Sequence, residues 1–232
     1  MIQIRKASER DHANHGWLDT WHSFSFANYF DPQYMGFSVL RVINEDRIAP
    51  GAGFPTHGHR DMEIITYLLQ GALEHKDSMG NGSVIRPGEI QRMSAGSGIS
   101  HSEFNASKNE EAHLLQIWIE PNERGITPGY EQKSLAAAGK ASSMNLLASP
   151  DGQDGSITIH QDARLYAALL QEHEELAYSM PAGRRVYIHL ARGKLKLNGL
   201  DLEAGDGAKI WDENINILST TAGSEALLFD LP

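Results

Sequence analysis

This sequence predicts an all-β fold made of two comparable barrel-type units. Three observations carry that prediction: short β-type runs, glycine-rich turn signals between them, and a pair of sequence anchors that recurs in both halves. The first series of expected strands is 37–43, 62–69, 72–76, 90–94, 99–103 and 113–120. Gly51-Ala52-Gly53, Gly71, Gly80-Asn81-Gly82, Pro87-Gly88 and Gly96-Ser97-Gly98 punctuate it. The stretch 121–143 breaks the rhythm with PNERGITPGYEQ and the Ala-rich SLAAAGKASS, where a short helical turn has room. A second series is expected at 144–148, 156–160, 165–170, 176–180, 186–190, 194–197, 208–211, 215–220 and 226–229. The resulting division is 1–130 for the first unit, 131–143 for a linker and 144–232 for the second unit.

The repeat supports this division. Leu68-Leu69-Gln70-Gly71-Ala72-Leu73 resembles Leu190-Ala191-Arg192-Gly193-Lys194-Leu195, and Arg86-Pro87-Gly88-Glu89 resembles Glu203-Ala204-Gly205-Asp206. Composition sets the outer bounds. With 232 residues and 41% hydrophobic content the chain can bury a real core. A formal charge of −10, from 20 basic and 30 acidic residues, argues against sequence-independent nucleic-acid binding and against anionic membrane surfaces. The polar start IQIRKASERDHANHG and the lack of a long uncharged apolar run lead us to expect a soluble, cytoplasmic protein. There is no cysteine, so disulfides and thiolate ligands drop out.

The chemistry concentrates in two couplets, His57-Gly58-His59 and His101-Ser102-Glu103. On a strand, residues i and i+2 point to one face, so each couplet can aim two side chains into one interior. Three neutral imidazoles and a carboxylate suit Fe(II), Mn, Ni, Cu or Zn and can leave coordination positions open. The expected centre is one divalent transition metal per chain, Fe(II) foremost with Zn, Mn, Ni, Co or Cu as alternatives, held by His57, His59, His101 and Glu103. A purely structural metal is the competing reading. Counting from the repeat anchors, the second unit has Ser179, Pro181, Leu218 and Thr220 at the ligand positions, so it keeps the scaffold without the ligands.

These residues also carry a family resemblance. Gly51, His57, His59, Glu63 and Gly71 approach the first cupin motif, and Gly98-Ile99-Ser100-His101-Ser102-Glu103-Phe104-Asn105 the second. More narrowly, FPTHGHRDMEIITYLLQGALEHKDSMGN, RPGEIQRMSAGSGISHSEFN and HLLQIWIEP resemble the pirin family. The resemblance implies a bicupin of two β-barrel or jelly-roll domains with short helical segments and an N-terminal metal site. It also implies quercetin 2,3-dioxygenase activity, as in some pirin-like proteins, while other relatives are nuclear cofactors. In many metal cupins the motif-one Glu is a ligand, which would point to Glu63. Glu103 is favoured here because it shares a strand and a face with His101, and because seven residues rather than six separate Glu63 from Gly71.

The expected substrate is a flavonol-like small molecule, with O2 as co-substrate and Glu103 as the base that takes the substrate proton. No direct nucleic-acid or membrane partner is expected. The alternative is a non-enzymatic, metal- or redox-responsive regulatory protein with a protein partner. His12, His15, His22, His75, His113, His160, His173 and His189 read as surface or hydrogen-bonded residues. Trp17, Trp21, Phe24, Phe26, Tyr29 and Phe30 read as packing, with part of the cluster available to line a pocket mouth.

Overall fold

The computed structural model describes residues 1–135 and 143–232. In chain order the strands are β1 (Ile2–Arg5), β2 (Asp11–Asn14), β3 (Leu18–His22), β4 (Leu40–Ile48), β5 (Gly53–His59), β6 (Glu63–Gln70), β7 (Leu73–Asp77), β8 (Gly82–Ile85), β9 (Glu89–Ser94), β10 (Ile99–Asn105), β11 (Ala112–Ile119) and β12 (Gly129–Ser134). They continue as β13 (Ser143–Ser149), β14 (Ile157–Thr158), β15 (Arg164–Leu170), β16 (Glu175–Tyr178), β17 (Arg185–Arg192), β18 (Lys194–Leu197), β19 (Leu200–Glu203), β20 (Gly207–Trp211), β21 (Ile215–Ser219) and β22 (Ser224–Leu231). The helical segments among the described residues are two 3-10 turns, Ala7–Glu9 and Gln153–Gly155. No described helix is long and apolar enough to cross a membrane.

The chain divides into two compact units. The N-terminal unit, Asp11–Leu135 with Ile157–Gln161, stacks a sheet of order β12-β9-β6-β11-β4-β3-β2 with a sheet of order β5-β10-β7-β8. The C-terminal unit has a larger sheet containing β1-β20-β17-β22-β15-β13 and a smaller one of order β16-β21-β18-β19. The repeat is therefore structural. Strands β4 to β11 and β15 to β22 follow one plan, β9-β6-β11-β4 matching β20-β17-β22-β15 and β5-β10-β7-β8 matching β16-β21-β18-β19. The all-β bicupin architecture expected from the sequence is the observed one.

The domain boundaries need correction. Met1–Arg10 belongs to the C-terminal unit, because β1 adds to the edge of β20 with Ile2 opposite Ile210, and Ile2 and Ile4 pack on that unit's core. Residues 131–134 of the expected linker lie in β12, which pairs with β9 so that Glu131 stands opposite Arg92. Of the rest of the expected linker, Ser143 opens β13 and 136–142 lie outside the described residues; the helical turn expected within 121–143 is not found at 121–135. Of the expected strand 156–160, Ile157–Thr158 is strand, and Ile157–Gln161 belongs to the N-terminal unit.

Side-chain alternation sets the inward face. Along β10, Ile99, His101, Glu103 and Asn105 are buried while Ser100, Ser102 and Phe104 are partly exposed. The two predicted ligands thus occupy positions that the pleat reserves for core side chains. Strand β4 runs five residues past the expected end at 43, through Asn44, Glu45 and Asp46, which are buried. Their polarity hides the strand; hydrogen bonds from Thr20 to Asp46 and between His113 and Glu45 make the burial of the two acids tolerable.

Candidate metal centre

Strands β5 and β10 place the imidazoles. They pair antiparallel with His57 directly opposite His101 and His59 opposite Ile99. Between His101 and Glu103 the register shifts, so that Glu103 faces Phe54 and the extra residue falls on β5 beside Pro55. Proline has no N–H to give a ladder, so this is where a bulge costs least. Gly53 permits the close approach at the end of the pair, since a Cβ there would lie 2.2 Å from the Glu103 carbonyl oxygen.

Ligand nitrogens of His57, His59 and His101 lie within 4.8 Å of one another. His57 Nε2 and His101 Nε2 are 3.1 Å apart, and His57 Nδ1 is 2.8 Å from the Pro55 carbonyl oxygen. A proton on His57 Nδ1, donated to that carbonyl, leaves Nε2 as a lone pair facing the other rings. Burial, and then the neighbouring His57, hold His59 down to about 4. Burial, followed by His57, His59 and His75, holds His101 down to about 3. At neutral pH these two rings are uncharged, and converging imidazole lone pairs form a donor set that a transition metal fits.

Behind His101 stands a second pair. His101 Nδ1 is 3.4 Å from His75 Nδ1, and His75 Nε2 is 3.2 Å from Asp77 Oδ2. His75 is fully buried, its ring stacks on Tyr130 at 4.9 Å, and the Tyr130 hydroxyl bonds Ser83. With Asp77 accepting from His75 Nε2–H, His75 Nδ1 accepts from His101 Nδ1–H, and His101 Nε2 is left to bind a metal. From the sequence alone His75 reads as a surface or hydrogen-bonded residue; the signal for its role is the spacing His75-x-Asp77 on a strand.

Glu103 is 3% exposed, accepts from Gln116 Nε2 at 2.9 Å and from Thr66 Oγ1 at 3.4 Å, and burial pushes it up to about 7. Its carboxylate groups within 4.8 Å with His75 and His101, not with the three-imidazole set. Glu63 is bound elsewhere. It is 1% exposed, and its Oε2 accepts from Ser94 Oγ at 3.0 Å and from the His160 backbone N–H at 3.3 Å. Arg92, bonded to Ser94 Oγ, the Thr158 carbonyl and Glu131, completes this cluster, which ties Ile157–Gln161 to β6 and β9. His160 is thereby a structural partner of Glu63.

A cavity of about 550 Å³ opens onto the imidazole cluster. Trp17, Phe26, Phe54 and Trp118 supply aromatic wall, and His57, His59, Glu103, Gln116, Asn44 and Asp46 supply polar groups. Trp118 meets His59 edge-to-face at 5.0 Å. Of the aromatic residues expected to pack, Phe24 is buried and Trp21 stacks on His12, but Phe30 is 72% exposed and does not pack. The volume suits a drug-sized ligand, with flat apolar walls and a few polar groups to orient it.

Comparison with known proteins places this geometry in a lineage. Residues 3–119 match the Pirin family, and residues 146–231 match the quercetinase C-terminal cupin domain. The chain is 54% identical, over 100% of its length and 99% of the relative's, to a quercetin 2,3-dioxygenase of Escherichia coli strain K12. It is 46% identical, with both chains fully covered, to a putative quercetin 2,3-dioxygenase of Pasteurella multocida. Among solved structures it superposes on a bacterial pirin from Escherichia coli in complex with nickel(II), with a TM-score of 0.95, 54% identity, and 100% of this chain and 99% of that chain covered. On the family match and on end-to-end identity at this level, the chain belongs to the pirin family.

Proposed function

We infer that the protein is a metal-dependent dioxygenase that opens a flavonol such as quercetin with O2, using one transition metal in the N-terminal unit. The observation that carries this reading is the convergence of three imidazoles, His57, His59 and His101, beside an aromatic-lined cavity whose wall includes the first two. The nickel(II) complex of the pirin relative and the naming of relatives as quercetin 2,3-dioxygenases support it. His57, His59 and His101 would hold the metal, with Glu103 as the fourth ligand. Fe(II) is the proposed native ion. When bound, a divalent transition metal supplies Lewis-acid polarisation of a hydroxyl and its adjacent carbonyl.

The chain's own residues do the rest. Trp17, Phe26, Phe54 and Trp118 hold a flat ring system and exclude water from it. His75 and Asp77 keep the donor nitrogen of His101 free. Gln116 and Thr66 each contact one Glu103 oxygen, and a carboxylate has lone pairs to spare for a metal or a substrate proton. Glu103 is the proposed first acceptor of the flavonol hydroxyl proton, and its elevated pKa matches a base working near neutrality.

The test compares metal-loaded and metal-free protein for O2 consumption and loss of flavonol absorbance. Turnover that depends on metal sustains the enzyme. Metal-gated association with a protein partner and no turnover would select the regulatory alternative. At equal measured occupancy, Glu103→Gln is expected to lose about 10² to 10⁴ in rate. Full activity in the occupied variant would remove Glu103 from the base role.

A further inference from the structure

We propose that Asp46, Thr20, His22 and Asp11 form a proton relay that carries the proton of a cavity-bound aromatic hydroxyl to the protein surface. It deepens the dioxygenase reading and relies on the same cavity. Strand pairing builds the chain of groups. Thr20 of β3 stands opposite Asp46 of β4, Thr20 and His22 lie two residues apart on β3, and His22 stands opposite Asp11 of β2. Thr20 Oγ1 is 2.5 Å from Asp46 Oδ1 and 3.2 Å from His22 Nε2, and His22 Nδ1 is 2.8 Å from Asp11 Oδ2.

Burial falls away along this line. Thr20, Asp46 and His22 are 3%, 4% and 6% exposed, whereas the Asp11 side chain is 32% exposed. Asp46, Thr20 and His22 line the cavity, so the inner end meets a ligand and the outer end meets water. Beside Asp46, the buried Asn44 Oδ1 has no hydrogen-bond partner in the protein and stands opposite His22 across the ladder. An unpartnered acceptor next to an acid on a cavity wall is a place for a ligand hydroxyl.

Two hydrogen-bond patterns satisfy every group in the line. With Asp46 protonated, its O–H donates to Thr20, the Thr20 hydroxyl donates to His22 Nε2, and His22 Nδ1–H donates to Asp11. With Asp46 ionised, His22 Nε2–H donates to Thr20, Thr20 donates to Asp46, and the doubly protonated ring faces the Asp11 carboxylate. One shift of a proton at each of the two inner links, Asp46 to Thr20 and Thr20 to His22, converts the first into the second. When a ligand O–H other than the one that Glu103 deprotonates gives its proton to Asp46, Asp46 gives its own to Thr20, Thr20 to His22, and His22 through Nδ1 to Asp11 and water. The ligand loses one proton and solvent gains one. No electron moves.

Burial pushes the Asp46 carboxyl up to about 7 against the pull of the Thr20 bond, and Glu103 and Glu45 add to the rise. The other charged and titratable groups near the line are themselves paired: Glu45 Oε1 with His113 Nε2 at 2.9 Å, and Asp19 beside Thr20 with His12 Nε2 at 2.6 Å. His15, His57 and His59 share the cavity.

The experiment follows quercetin ionisation, by its absorbance shift, on anaerobic mixing with metal-loaded protein, for the parent, Asp46→Asn, Thr20→Val and Thr20→Ser. Asp46→Asn and Thr20→Val should slow ionisation by about 10-fold or more, and Thr20→Ser should restore the rate to within a few-fold of the parent. Ionisation at the parental rate in Thr20→Val overturns the relay, as does equal slowing in Thr20→Ser and Thr20→Val. Parental quercetin that ionises normally but consumes no O2 in air sinks the dioxygenase reading and leaves the relay standing. A second measurement uses metal-free protein and no ligand. Nitrogen NMR should show the His22 Nε2 signal, the atom that Thr20 links to Asp46, changed in Asp46→Asn, and an unchanged Nε2 signal in that variant overturns the proposal.

Discussion

The two units share a strand plan and differ in what fills it. In the N-terminal unit, Thr66, Gln116 and Asn44 stand opposite one another across β6, β11 and β4. In the C-terminal unit the same row across β17, β22 and β15 is Ile188, Leu228 and Tyr166. Leu73, which pairs with Asn105, matches Leu195, which pairs with Ser219. Through that register Ile217 and Ile215 stand where Glu103 and His101 stand, three residues before the positions reached by counting along the sequence. Tyr178, opposite Ile215, takes the place of His57, and Leu197 that of His75. Ile215, Ile217 and Leu197 belong to one apolar core, and Tyr178 packs against it. One copy of the fold has closed its interior with hydrocarbon; the other has kept a polar one. A barrel core can be assembled either way only if each buried polar group finds a partner, which is why the N-terminal interior is a network.

The sharpest way to break this contrast is metal content. One equivalent per chain is expected after dialysis, and two, one in each unit, would refute the comparison. His57→Ala or His101→Ala should remove most metal affinity, and His75→Ala should cost about 10- to 100-fold, as an outer partner does. Glu63→Gln should leave the metal bound. If instead it empties the site while Glu103→Gln does not, the two acids exchange roles.

Stability should show the reverse asymmetry. Ile217→Ala removes core packing and is expected to cost about 2–5 kcal/mol in denaturant unfolding. Glu103→Gln, at the equivalent place in the N-terminal unit, should cost the metal-free protein far less, because a buried acid pushed up to about 7 contributes little as a carboxylate. Equal losses would show that the polar interior is as structural as the apolar one.

A pH series sharpens the same point. Asp46 keeps its proton in the folded state up to about 7, whereas an ordinary Asp loses it near 3.8. Its contribution to stability is therefore complete below about pH 4 and is lost as pH rises to about 7, a change on the order of 4 kcal/mol at most. His59 and His101, held down to about 4 and about 3, act in the opposite sense over much of that range. The signature lies in the difference: metal-free Asp46→Asn should gain on the parent between pH 4 and pH 8. A constant difference across that range would show that Asp46 is not a buried acid of raised pKa.

The smallest effect expected is local. Glu63→Gln should cost about 1–3 kcal/mol and raise hydrogen exchange at 157–161, where the His160 N–H loses its carboxyl acceptor. Unchanged exchange would detach that segment's order from Glu63.

The sequence by itself determined the all-β plan, the repeat and the identity of the imidazole set. Turn glycines, strand runs and two His-containing couplets at period two are local signals, and alternation along β5 and β10 converts them directly into a shared face. What the sequence left out are relations between strands distant in the chain. His75 becomes the partner of His101 because β7 pairs with β10, and Asp46 meets Thr20 and His22 because β4 pairs with β3. Placement of Met1–Arg10 with the C-terminal unit depends on pairing across about two hundred residues, which no local pattern encodes. The polar stretch Asn44-Glu45-Asp46 reads locally as the end of a strand, and only the tertiary structure, by giving Glu45 and Asp46 buried partners, continues β4 through it and sets Asn44 and Asp46 on the cavity wall.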